Sequence, residues 1–174
     1  MDHLGERLRH TLRGRICVMG VGNVDYGDDG FGVYLAEELA AGGVSDVLIA
    51  GTSPDRHLGT IAEQRFDHLL LIDAVDFSRE PGSAVFLNAT EIENAYPQIS
   101  THKISLGVLA KVMEEAGTHV WLLGVQPESL HPGQYLTDSL QATLEAIGTL
   151  LKQVWFSQVP RQRPPQPMPK VVAS

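Results

Sequence analysis

Positive charge is what this chain has least of: 13 Lys and Arg stand against 21 Asp and Glu among 174 residues, a net charge of -8. A polyanion would be repelled by such a surface, which argues against nucleic acid as a partner. Cysteine is nearly absent. The single thiol, Cys17, lies within the apolar run Ile16 to Met19, so no internal disulfide can form, and the residue reads as part of a buried strand rather than as a nucleophile. Long apolar runs are missing too. The opening residues, MDHLGERLRH, mix both signs of charge and lack the apolar stretch of a secretory signal, and no later run approaches the length that spans a bilayer. The expectation is a cytoplasmic protein with no membrane partner. A monomer is the default, because no amphipathic stripe remains once the core helices are assigned. The H-E-x-x-H of zincins and the G-x-S-x-G elbow of serine hydrolases are also lacking.

What is present is an alternation of apolar runs with helical patterns. Arg15 to Val21, Asp46 to Ile49, Leu69 to Asp73 and His119 to Val125 read as buried strands, with a weaker one at Ala84 to Leu87 after the turn Glu80-Pro81-Gly82-Ser83. Val33, Ala36 and Ala40 recur at helical spacing until Gly42-Gly43. Leu106, Leu109, Ala110 and Met113 do so until Gly117, and Leu140 to Val154 form a longer final helix. Strands alternating with helices predict an α/β sandwich. The length suits one domain, placed at 15–157. Residues 1–14 are read as an extension, loose or with an extra helical turn, and 158–174 as a proline-rich, disordered tail.

Three polar segments interrupt this pattern. The first, Gly20-Val-Gly-Asn23 through Asp28-Asp29-Gly30-Phe-Gly32, joins the first strand to the first helix. Either aspartate could cap the helix, but adjacent carboxylates point apart, leaving one free to enter a cleft. A dinucleotide-binding loop is disfavoured, since the G-x-G-x-x-G spacing is absent and two acids would repel a pyrophosphate. In the second segment an apolar strand stops at Asp73, which a parallel sheet puts at its ligand-binding carboxyl edge; Asp76 suits an Asx-turn better. The third is Ser100-Thr101-His102-Lys103, before the helix that leads into the last strand. If that strand is parallel to the others, the helix starts at the carboxyl edge and brings His102 beside Asp29 and Asp73, with Ser100 or Thr101 available as the cap. Two carboxylates and an imidazole make a three-ligand set for nickel or zinc, with further positions open to water or substrate. His3, His10, His57, His68, His119 and His131 share no ligand spacing, although His57 falls in a loop near the same edge.

Taken in order, these residues resemble the hydrogenase maturation endopeptidases. The likeness runs from about Ile16 to Val154 and rests on Gly20-Val-Gly-Asn23, Gly27-Asp-Asp-Gly30, Ile72-Asp-Ala-Val-Asp76, Glu80-Pro-Gly82, His102 and Leu123-Gly-Val-Gln-Pro127-Glu128. The resemblance implies a three-layer sandwich: a twisted, mostly parallel five-stranded sheet with one antiparallel strand, and helices on both faces. It implies a protease that removes a C-terminal peptide from the large-subunit precursor of a [NiFe] hydrogenase. Asp29, Asp73 and His102 would be the metal ligands, and Asp29 and Asp73 the catalytic carboxylates. The metal would be nickel carried by the substrate, with zinc or cadmium as surrogates. Val24-Asp25-Tyr26 is more polar than the family pattern, Ala50-Gly-Thr-Ser-Pro54 lacks an aspartate common there, and Thr101 replaces a frequent proline. A non-catalytic nickel-sensing chaperone would use the same ligands, and a nucleotide-handling enzyme is the third reading. Turnover separates the first two.

Overall fold

A computed structural model of the chain describes residues 2–95 and 105–157. The apolar runs form strands β1 (Ile16–Val21), β2 (Val47–Gly51), β3 (His68–Ala74), β4 (Ala84–Asn88) and β5 (His119–Val125), in the spatial order β2-β1-β3-β5-β4. Strand β1 runs parallel to β2 and β3, and β3 parallel to β5; β4 closes the sheet antiparallel to β5. The expected mixed sheet is therefore present.

Side chains on successive strand residues point to opposite faces, and this period of two divides the core into two layers. Ile16, Val18, Leu70, Ile72, Leu123 and Val125 pack with α1 (Asp2–Thr11), α2 (Phe31–Ala41) and α6 (Asp138–Phe156). Cys17, Met19, Leu69, Leu71, Val120 and Leu122 face α3 (Leu58–Gln64), α4 (Ala89–Ala95) and α5 (Leu106–Glu115). Burial on both faces explains why these strands read as nearly continuous apolar runs. Helix α5 ends as the glycine predicts: Gly117 has φ +91°, and Thr118 N–H returns to Met113 O at 3.0 Å.

The amino-terminal segment, expected to be a loose extension or an extra helical turn, is a longer helix than either. Residues Asp2–Thr11 form a full helix whose Leu8 is completely buried, with Leu12 beyond its end also in the core. The helix packs against α6 closely enough that a Cβ on Gly5 would lie 2.9 Å from Leu150. Its polar composition hid a narrow stripe, Leu4, Leu8 and Leu12, at helical spacing. Helix α5 is capped by Ser105, whose Oγ accepts the Val108 N–H at 3.3 Å; Ser100 and Thr101, the caps expected from the sequence, lie outside the described residues. The tail at 158–174, expected to be disordered, and His102 lie outside the described residues. Among the described residues, no helix is long and apolar enough to cross a membrane.

Candidate active site

The chain order of the sheet sets a switch point, the place where open α/β sheets form their ligand crevice. Strand β1 continues through α2 to β2 on one side, whereas β3 leads toward β4 and β5 on the other, so the loops after β1 and β3 diverge at the carboxyl edge. Open α/β sheets bind ligands at such switch points. Asp29 belongs to the loop after β1, and Asp73 is the penultimate residue of β3.

Asp29 sits in a 3-10 turn, Gly27–Gly30, that lies against β3 and runs directly into α2. The glycines there permit close backbone approach. Gly22 has φ +136°, and a Cβ on it would fall 1.9 Å from Asp29 O; a Cβ on Gly32 would fall 2.1 Å from Ile72 O. The second contact presses the first turn of α2 onto the strand residue preceding Asp73. Asp29, which is half-buried, accepts the Asn23 N–H through Oδ2 at 3.0 Å.

Neither aspartate of the pair caps α2, which has no side-chain cap. Asp28 turns the other way and is fully buried. Its Oδ2 accepts the N–H groups of Glu128 at 2.9 Å and Ser129 at 3.0 Å, its Oδ1 accepts Thr137 N–H at 2.8 Å, and the Thr137 hydroxyl donates to both oxygens. A buried carboxylate is tolerable only with such compensation. The two carboxylates therefore diverge as their adjacency predicts, one held by the β5–α6 loop and the other near the crevice.

Asp73 is buried, with 4 % of its surface exposed. The alternation of β3 puts it on the α3–α5 face, and its register partner in β5 is Gly124, which has no side chain to crowd it. Asp76, by contrast, is exposed and makes the Asx-turn expected of it, accepting Ser78 N–H at 3.0 Å and Gln126 Nε2 at 3.1 Å. Those bonds, the Ser78 amide first, hold its carboxyl below the usual aspartate range. His57 ends a 3-10 turn, Pro54–His57, just after β2. His102 is outside the described residues; two residues, Lys103 and Ile104, separate it from Ser105, a span of at most about 11 Å. Among the described residues no group of three His, Cys, Asp or Glu side chains could hold a metal.

Sequence reasoning missed Gln126 as a working residue, since it entered only as part of a matching run. Its Oε1 accepts Phe77 N–H at 2.9 Å and Arg79 N–H at 3.2 Å, so the end of β5 grips the loop that follows Asp73. A buried glutamine at a strand end, preceding a proline, was the available signal. Cys17 is buried as expected, and burial, then Asp46, pushes its thiol up to about 12.

Comparison with known proteins agrees with this architecture. Residues 33–154 match the family model described as hydrogenase maturation protease. The hydrogenase 2 maturation protease of Escherichia coli (strain K12) is 30% identical over 161 residues, covering 85% of this chain and 97% of that protein. A crystal structure of a [NiFe] hydrogenase maturation protease from Thermococcus kodakarensis KOD1 superposes with a TM-score of 0.76 at 28% identity, over 88% of this chain and 99% of that one. The hydrogenase maturating endopeptidase HybD from E. coli gives a TM-score of 0.68 at 31% identity, over 82% and 91%. The chain belongs to the hydrogenase maturation protease family.

Proposed function

We propose that this chain is an endopeptidase that removes a C-terminal peptide from the large-subunit precursor of a [NiFe] hydrogenase once nickel has been inserted, and that Asp29, Asp73 and His102 engage that nickel. The observation that carries the reading is the approach of the Asp29 turn to the end of β3, where Asp73 sits, at the switch point of the sheet. Strand β5 is parallel to β3, so α5, which precedes it, starts at the same edge, and the reading assigns His102, just ahead of that helix in the sequence, to the same site.

Oxygen and imidazole donors suit a borderline divalent ion, and zinc or cadmium would accept the same set. In this reading nickel belongs to the substrate and supplies a recognition handle and Lewis acidity near the scissile carbonyl. The protein contributes the carboxylates. One of Asp29 and Asp73 takes a proton from the attacking water as its oxygen bonds the carbonyl carbon; the C–N bond then breaks and the departing amine receives the proton. Because nickel insertion comes first, enzyme and precursor share a compartment, which we take to be the cytoplasm, with the enzyme acting as a monomer.

The test is the mass of a nickel-loaded precursor after incubation with wild type, Asp29→Ala, Asp73→Ala and His102→Ala. Wild type should release a C-terminal peptide and each variant should lose most of that activity. Full cleavage by all three variants would sink the site assignment.

A further inference from the structure

A one-turn 3-10 helix has few and poorly aligned bonds of its own, so the direction of its side chains depends on what grips it from outside. The turn Gly27–Gly30 is gripped from two sides. Toward β1, Asn23 N–H reaches both Asp29 O at 3.2 Å and Asp29 Oδ2 at 3.0 Å, over the space that Gly22 leaves open. Toward the β5–α6 loop, Gly27 N–H donates to Gly133 O at 2.7 Å and Asp28 N–H to Ser129 O at 3.3 Å, while Gly133 N–H returns to Asp25 O at 2.9 Å. The Asp28 carboxylate completes that second grip by gathering three N–H groups and the Thr137 hydroxyl from one loop.

We propose that Asp28 is a positioning residue for the reaction: anchored in the β5–α6 loop, it sets the direction in which the neighbouring Asp29 presents its carboxylate to the crevice. The proposal rests on the peptidase reading for its consequence in turnover, but its mechanical link does not. Asparagine at this position has the same shape and would still fail. Whichever way its amide turned, the NH2 group would face N–H donors, those of Glu128 and Ser129 in one orientation or that of Thr137 in the other. A graded series follows, since Thr137→Val removes only the hydroxyl and Thr137→Ser keeps it.

The experiment uses the full chain carrying Asp28→Asn, Thr137→Val or Thr137→Ser. Two quantities are read: kcat and KM on the nickel-loaded precursor, and the hydrogen-exchange rate of the Asn23 amide. Asp28→Asn should lower kcat roughly a hundredfold with little change in KM, the scale set by about an ångström of misplacement. The Asn23 amide should exchange about tenfold faster as its acceptor loosens. Thr137→Val should fall between, and Thr137→Ser should restore wild-type values. If Asp28→Asn does not fold, Thr137→Val carries the same test. Unchanged kcat in a folded variant overturns the proposal, as does a loss of kcat with Asn23 protection intact. A wild-type chain that leaves the precursor whole sinks the peptidase reading, and the Asn23 exchange rate then still decides the link.

Discussion

Gln126 donates through Nε2 to Asp76 Oδ1 at 3.1 Å, and its Oε1 accepts the N–H groups of Phe77 and Arg79 on the same loop. This amide is buried, so its removal strands those N–H groups beside the segment that follows Asp73. Gln126→Leu should destabilise the fold by about 1 kcal/mol, the scale of hydrogen bonds lost from partly buried groups. Urea denaturation reads the loss. Stability equal to wild type would mean that water replaces the amide without penalty.

Gly32 has no room for a side chain, since a Cβ would press on both Ile72 O at 2.1 Å and Val21 O at 2.3 Å. Those atoms are backbone and cannot swing aside. Gly32→Ala should therefore cost about 3 kcal/mol and push the Asp29 turn away from β3, lowering cleavage along with stability. A thermal melt together with an activity assay checks both. Alanine at 32 with wild-type melting would contradict the packing.

Cys17 should be inert in the native protein, because its thiol is buried and its acidity suppressed to about 12. Iodoacetamide labelling across a denaturant series is expected to follow global unfolding, and Cys17→Ala should retain peptidase activity. Rapid labelling without denaturant would show that β1 opens locally.

Leu8 tests the standing of the amino-terminal helix. Its side chain is fully buried against the α2 and α6 layer, so Leu8→Ala should destabilise the protein by about 3 kcal/mol. A change within 0.5 kcal/mol, the range of ordinary surface substitutions, would mean that α1 is not part of the cooperative core in solution.

The sheet was legible because its strands are buried on both faces: Leu69 to Asp73 and His119 to Val125 announce themselves without knowledge of their neighbours. The positions of Asp29 after β1 and of Asp73 near the end of β3 were legible for the opposite reason, as acids placed where apolar or glycine patterning breaks off. Helix α1 was not, because only Leu4, Leu8 and Leu12 mark its inner face among charged residues. The partner of Asp28 was also hidden. Its capping role was a sound local guess, but the N–H group it takes from Thr137 is 109 residues away, and nothing local to the turn encodes that approach. It depends on α6 packing beside α2, which is a property of the assembled sandwich.

The most direct measurement of the central claim is turnover: the wild-type protein at one-hundredth of the precursor concentration, with precursor mass followed over time, nickel-loaded and nickel-free in parallel. The account predicts that all of the nickel-loaded precursor loses its C-terminal peptide while the nickel-free form keeps it. Cleavage that stops after one equivalent, or that proceeds equally without nickel, would contradict it.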